Sequence, residues 1–106
     1  AKANVLISHA LTKKLTMPFP DPTPLEEVIR YIKKNTVSEA LPSGIPIWVD
    51  PDGLDRAGER LSSKIRFTSA EAPLRETLPK VLEQLNLRYV IEDGLLKIKD
   101  LGEGQN

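Results

Sequence analysis

His9 is the only histidine in the chain, and Ser8 stands directly before it. A serine and a histidine perform nucleophilic catalysis when an acid completes the set and the side chains face one another. Adjacent residues on a helix point in different directions, so Ser8 and His9 are poorly placed for this role. We expect a histidine on the flank of a helix, no catalytic residues and no enzyme activity.

Three aspartates, Asp50, Asp52 and Asp55, have a spacing that suggests a calcium loop. An EF-hand loop needs an oxygen ligand at its fifth position, glycine at its sixth and glutamate at its twelfth. The sequence has Leu54, Asp55 and Leu61 at those positions. The chain also lacks cysteine, which excludes disulfides and a cysteine-based zinc site. We therefore expect no metal or other cofactor, and Asp50 or Asp52 to cap a helical turn.

The charge balance argues against nucleic acid as a partner. The chain has 15 basic and 15 acidic residues and a formal net charge of zero, whereas dedicated binders of nucleic acid or anionic membranes carry a basic excess. No apolar run approaches the ~20 residues that a membrane helix needs. At 106 residues the chain is one domain that can bury a core without disulfides. A small-molecule substrate is not expected either.

The stretch from Ala72 to Lys99 carries the strongest structural signals. Six residues at helical spacing predict one buried stripe: Leu74, Thr77, Leu78, Val81, Leu82 and Leu85. Pro79 lies within this stripe, and an interior proline costs ~3 kcal/mol, so we expect a kinked or loosened first turn. Asn86 is the predicted end of the helix.

A hairpin is predicted to follow this helix. Residues 87–91 alternate at the period of a strand, and Asp93-Gly94 is a strong signal for a two-residue turn. That turn sets the register of the two strands. The pairs expected on the core side are Ile91 with Leu96 and Tyr89 with Ile98.

The first half begins with a short amphipathic helix, predicted over Asn4–Leu11, and an alternating strand over Leu15–Phe19. The run Thr23-Pro24-Leu25-Glu26 predicts the start of the next helix. Thr23 would cap it, Pro24 would take its first position, and Glu26 would complete a capping box. This helix is expected to bury Leu25, Val28, Ile29 and Ile32, to stop near Asn35 and to lead into a loop over 37–44.

The middle of the chain is expected to hold two more strands. Ile45, Ile47 and Val49 form one face of the first, with Trp48 on the other face. A helical turn is predicted over Leu54–Arg60, and a strand over Lys64–Thr68. Residues 24–27 match residues 73–76 in their Pro-Leu-x-Glu pattern. Either the two halves are a duplication, or two amphipathic helices merely look alike.

The pattern therefore reads strand-helix-strand twice, plus one extra hairpin strand, in an α+β fold. It resembles the short N-terminal domain shared by secretins and TonB-dependent receptors, the STN-like family. The resemblance lies in TPLEEVIRYI, IPIWVDPDGL and KIRFTSAEAPLRETLPKVLEQLNLRYVIEDGLLKIK, and covers about residues 15–99. The chain departs from the family at Pro79 and in the longer loop over 37–44. The family-like domain is taken as 13–100, after an N-terminal amphipathic segment over 1–12 and before a tail or linker over 101–106.

The resemblance implies two helices between a two-stranded and a three-stranded sheet. Leu15–Phe19 would pair with Lys64–Thr68, and Ile45–Val49 would join the terminal hairpin. It also implies a non-enzymatic module on the periplasmic side of a cell-envelope protein. In receptors such a domain contacts an anti-sigma regulator, and in secretins it faces inner-membrane components. No catalytic residues come with the family.

We therefore expect a protein-protein interaction module of a larger bacterial envelope protein, monomeric when isolated; the alternative is a purely structural spacer. Two partner surfaces are predicted. One is the free edge of the strand over 64–68, with Lys64 and Arg66. The other is the outer side of the three-stranded sheet, where Trp48, Val90 and Leu95 would lie together. Either the segment Asn4–Leu11 folds over Trp48, which we favour, or a partner covers it.

Overall fold

The fold is α+β, as the sequence predicts. The computed structural model describes residues 2–102, so residues 103–106 of the tail predicted over 101–106 lie outside the described residues. The elements, in chain order, are α1 (Lys2–Ala10), β1 (Lys14–Pro24), α2 (Leu25–Asn35), β2 (Ile47–Val49), α3 (Pro51–Ala57), β3 (Lys64–Pro73), α4 (Leu74–Glu83), β4 (Leu87–Glu92) and β5 (Leu95–Asp100). No helix among the described residues is long and apolar enough to cross a membrane.

Two sheets enclose α2 and α4. The first contains β1 and β3 in antiparallel pairing, and the second has the order β2-β5-β4, with β2 parallel and β4 antiparallel to β5. Both predicted sheet partnerships are thus confirmed. The first two long strands extend further than predicted, to Pro24 and Pro73. Phe19 lies opposite Phe67, and the register shifts on both sides of this part of the ladder.

The predicted helical stripe of α4 forms the centre of the core. All six of its members are buried, and those of α2 are buried or nearly so. Pro79 lies inside a continuous helix, because the apolar stripe on both sides of it is held by packing. The fully buried side chains with the largest volumes come from both sheets, α2, α4, α1 and the segment before β2, and include Ile7, Met17, Leu25, Ile32, Ile45, Ile65, Leu74 and Leu96.

The terminal hairpin has the predicted turn and register. Asp93 and Gly94 both have positive φ, 57° and 72°, which is the geometry of the expected two-residue turn. Ile91 lies opposite Leu96, and Tyr89 lies opposite Ile98. α4 ends at Glu83, three residues before the predicted end at Asn86, and Asn86, at φ 58°, precedes β4.

The predicted capping box of α2 is wrong. The Thr23 hydroxyl donates to the carbonyl of Asp21 at 2.8 Å, and no side chain from residues 2–102 caps this helix. Instead, the first backbone N–H groups of the helix donate to another part of the main chain, Leu25 to Ser63 at 2.8 Å and Glu26 to Leu61 at 3.0 Å. Because β1 continues directly into α2, Thr23 remains in the strand and cannot turn back to cap.

The start of α4 repeats this arrangement with the halves exchanged. Leu74 donates its N–H to the carbonyl of Lys13 at 3.1 Å, and Arg75 donates to Leu11 at 2.9 Å. Each helix therefore begins on carbonyls that precede the strand of the other half. This reciprocity favours the interpretation of the Pro-Leu-x-Glu pattern as a true internal repeat.

The segment between α2 and β3 differs from prediction in its boundaries. β2 has only three residues, because Pro46 has no N–H to give to the ladder. The predicted helical turn over Leu54–Arg60 lies earlier, in α3. Asp50 caps this helix by accepting from the N–H of Asp52 at 3.1 Å, and Gly58 ends it in the left-handed conformation.

Gly44 is expected to be intolerant of any side chain. Its φ is +79°, and a Cβ would collide with the backbone carbonyl of Lys33. Gly44→Ala should therefore add a steric clash to the cost of left-handed backbone, for a loss of ~2–4 kcal/mol in the free energy of unfolding. Chemical denaturation measures this loss.

Gly58→Ala is the matched control. Gly58 has a similar φ of +73° but nothing within 4 Å of its Cβ position. This variant should lose only the conformational part, ~1 kcal/mol. Equal losses in the two variants would show that the packing of Gly44 against Lys33 has no energetic weight.

Candidate protein-interaction surface

The outer face of the three-stranded sheet brings together several residues that the sequence singled out. We define the outer face as the side chains of this sheet that point away from the helices. Register places Trp48 beside Lys97 and Lys97 beside Val90, while Leu95 pairs with Glu92 at the turn end. The members of the outer face are Trp48, Arg88, Val90, Glu92, Leu95, Lys97 and Lys99.

The apolar part of the outer face is exposed to solvent as predicted. Trp48 is 42% exposed, and Val90 and Leu95 are half-buried. None of the three belongs to the hydrophobic core or packs against it. The three residues therefore share the face on which the sequence places them.

The expectation that Asn4–Leu11 covers Trp48 is wrong. The helix that includes most of this segment, α1, turns its stripe inward, where Ile7 is 0% and Leu11 3% exposed within the core. The side-chain oxygen of Asn4 accepts the N–H of Gly94 at 2.8 Å, which fixes α1 to the hairpin turn. The core buries the stripe more completely than the open sheet face would, so Trp48 is left uncovered.

Lys97 provides the main polar contact of Trp48. Its ammonium lies 5.8 Å from the centroid of the indole ring, within the range of a cation–π interaction. The same ammonium lies 2.8 Å from Asp93 and 3.3 Å from Glu92, and Lys99 lies 3.0 Å from Glu92. This network was missed in the sequence, although the hairpin register places Glu92 and the two lysines on one side.

These contacts change the acid-base behaviour of the outer face. Hydrogen bonds from Lys99 and then Lys97 lower the pKa of Glu92. The hydrogen bond from Lys97 lowers the pKa of Asp93 and is the main cause of the raised pKa of Lys97. All three groups thus keep their charges over a wider pH range than they would in an unfolded chain.

A second ion-pair group lies at the far end of β5. Arg56 binds Asp100 through two nitrogens at 3.0 and 3.2 Å, and its guanidinium is 3.6 Å from Asp50. The hydrogen bond from Arg56 lowers the pKa of Asp100. Of the three aspartates that suggested calcium, Asp50 caps α3 and lies near Arg56, which binds this helix to the sheet through Asp100. Within residues 2–102, no three His, Asp or Glu side chains are grouped as metal ligands would be.

His9 lies on the exposed side of α1, and Ser8 beside it is exposed as well. The helix and the loop over 37–44 enclose a cavity of about 320 Å³, with His9 at its rim. Its wall is mainly apolar and includes Leu6, Ala10, Val37 and Leu41. No ion pair joins His9 to an acid among the described residues, so the structure brings no catalytic set together here.

The predicted free edge at Arg66 is closed, which corrects the first of the two predicted partner surfaces. The side-chain amide of Gln84 donates to the Arg66 carbonyl at 2.6 Å and accepts its N–H at 3.2 Å. A primary amide carries the donor and acceptor of a peptide group, so Gln84 imitates one residue of a neighbouring strand. Lys64 and Arg66 expose their side chains, but the backbone between Lys64 and Phe67 is not free for an added strand at this point.

The opposite edge of the same sheet is closed in a related way. The Tyr31 hydroxyl donates to the carbonyl of Thr16 at 2.7 Å, and the Tyr31 ring packs edge-on against Phe19 with centroids 5.3 Å apart. Thr16 and Arg66 occupy equivalent places in the two halves. Each strand of this sheet thus has one backbone position on its outer edge occupied by a side chain of its own half, from Tyr31 in α2 for β1 and from Gln84 at the end of α4 for β3.

Comparisons of the chain with protein-family models, curated proteins and solved structures find no match.

Stability should fall in acid because of the carboxylates of the two ion-pair groups. Glu92, Asp93 and Asp100 have lowered pKa values in the folded state, so they stabilise it above their unfolded pKa values. This contribution is lost as the pH falls through the folded values, below about pH 4.5 for Glu92. Denaturation curves across this range should show the loss, and Glu92→Gln should flatten it. An unchanged slope in that variant would contradict the role of the Lys97–Glu92–Lys99 network.

Removing the Gln84 side chain should reopen the edge of β3. Gln84→Ala leaves the N–H and C=O of Arg66 to solvent, so the Arg66 amide should exchange hydrogen faster and stability should fall by ~1 kcal/mol. Lys80→Ala, exposed on the same helix, is the control and should change neither. If the Arg66 amide keeps its protection in Gln84→Ala, the side-chain amide does not close this edge.

Proposed function

We propose that this chain is a non-enzymatic protein-protein interaction module of a larger bacterial cell-envelope protein, of the secretin or TonB-dependent-receptor kind, and that it acts in the periplasm. The α+β fold with two helices between a two-stranded and a three-stranded sheet supports this proposal. It is the arrangement that the sequence resemblance implies. The partner is a protein of the envelope rather than nucleic acid or a small-molecule substrate, and the isolated domain is a monomer.

The observation that carries the proposal is the uncovered outer face around Trp48. Trp48 is 42% exposed and shares the outer face with Val90 and Leu95, and an exposed apolar group on one face is a candidate site for a protein partner. Tryptophan is also the residue type most enriched among the energetically dominant contacts of protein interfaces. Lys97 and Arg88 add a basic margin to this apolar centre. A partner would therefore bury Trp48 and present a carboxylate to Arg88, since Lys97 is already paired with Asp93 and Glu92.

A structural spacer would have no need of such a face, so the two functions can be separated by experiment. A photo-reactive amino acid is placed at position 48 in the full-length envelope protein, expressed in its own host. Irradiation of living cells should yield a discrete covalent adduct with one envelope protein. Mass spectrometry then identifies the partner.

Leu61 is the matched control position. It is as exposed as Trp48, at 42%, but lies between α3 and β3, away from the outer face. The same amino acid at position 61 should give no specific adduct. Equal adducts at both positions, or none at either, would contradict an interaction module that uses Trp48 and would favour the spacer.

A further inference from the structure

The outer edge of β4 carries backbone groups that point away from the sheet. Asp50 donates its N–H to Ile98, and Leu96 donates to Pro46, so both residues of β5 direct their backbone groups toward β2. Their partners on β4 are Tyr89 and Ile91. In an antiparallel ladder, residues opposite such positions direct their own N–H and C=O groups outward. Leu87 has the same orientation, by alternation.

This edge differs from those of the two-stranded sheet. Gln84 and Tyr31 close β3 and β1, whereas no group within residues 2–102 hydrogen-bonds the outward N–H or C=O of Tyr89 or Ile91. Asn4 reaches only Gly94 in the adjacent turn. β4 therefore offers a row of alternating donors and acceptors, which only another extended chain can match along its length.

A groove runs beside the edge, between β4 and α4. Its volume is about 330 Å³, and Pro79, Glu83, Leu87, Arg88, Tyr89 and Leu101 line it. An added strand would point every second side chain into this groove and the others toward the outer face. Edge and groove together are the features by which sheet-extending domains bind extended peptides.

Charge identifies the kind of segment that fits. Arg88 donates its Nε–H to the backbone carbonyl of Asp100 at 3.0 Å, and it forms no ion pair with a carboxylate among the described residues. A second copy of β4 could bring Glu92 opposite Arg88, but Glu92 is already bonded to Lys97 and Lys99. A segment of another protein whose carboxylate has no ion pair would form one with Arg88 and break none. A second copy of β4 would have to break the ion pairs of Glu92, so it is expected to bind more weakly.

We propose that β4 binds an extended segment of a partner protein as an added strand, with an acidic residue beside Arg88 and an apolar residue in the groove between Tyr89 and Pro79. This rests on the proposed function as an interaction module and names the class of partner. The bound segment continues the three-stranded sheet. Its outward side chains then lie next to Val90, so they enlarge the apolar outer face.

The test uses the full chain labelled with ¹⁵N. Its ligand is a short synthetic peptide in which valine occupies every second position and the positions between hold one glutamate and one threonine. Binding should protect the amides of Leu87, Tyr89 and Ile91 from hydrogen exchange. The amides of Arg88, Val90 and Glu92 already bond to β5, so they should gain no protection. Methylating alternate peptide nitrogens should abolish binding when the methyl groups face β4 and leave it intact when they face away.

Charge reversal tests the acidic preference. Arg88→Glu should weaken binding of the glutamate peptide by about 2- to 5-fold, the range of an exposed ion pair, and should strengthen binding of a lysine peptide. Arg30→Glu, on the exposed side of α2, should change neither. No preference for the acidic peptide over a glutamine peptide would overturn the assigned chemistry.

Two further outcomes would overturn the proposal and leave the proposed function standing. Self-association of the chain through β4 would make a second copy the occupant. Photo-adducts at position 48 without extra protection of the Leu87, Tyr89 and Ile91 amides would show that the partner binds the outer face and not the edge of β4. Absence of both the adducts and the extra protection would instead contradict the interaction module itself.

Discussion

The exchange of backbone hydrogen bonds between the two halves is the constraint on which the rest of the fold depends. Each helix that lies between the sheets begins on carbonyls from the other half, at Ser63 and Leu61 for α2 and at Lys13 and Leu11 for α4. The pairing of β1 with β3 brings these donors and acceptors together. The buried stripes of α2 and α4 thereby face one shared core. The terminal hairpin packs on the side of these helices opposite β1 and β3.

Patterning was sufficient to predict much of this fold from the sequence. The helical stripe of α4, the Asp93-Gly94 turn and the outward position of Trp48 follow from local periodicity and turn chemistry. The sealing of Arg66 by Gln84 could not be predicted, because it joins residues from two elements whose distance depends on tertiary packing. The same holds for the start of α2, where tertiary carbonyls replaced a plausible capping box.

The candidate surface was predicted in part for the same reason. Alternation along β2, β4 and β5 correctly placed Trp48, Val90 and Leu95 on one face. It could not decide which surface α1 would cover, because an amphipathic stripe carries no information about its partner. In the folded chain the apolar stripe of α1 packs into the core, where Ile7 and Leu11 are buried. The exposed indole and the open edge of β4 consequently lie on the same sheet, on the two strands that flank β5.

The reciprocal helix starts also have a consequence for how the chain folds. The first N–H groups of α2 and α4 reach their protein acceptors only when the other half is in place, since these carbonyls lie between 35 residues (Glu26 to Leu61) and 64 residues (Arg75 to Leu11) away in sequence. The chain between the two halves must close into a loop before most of the native contacts can form. Collapse of a single half therefore gives little stabilising free energy. The nucleus for folding is therefore expected to contain β1, β3 and both helix starts at once, and an N-terminal half still emerging from the ribosome would wait for its counterpart.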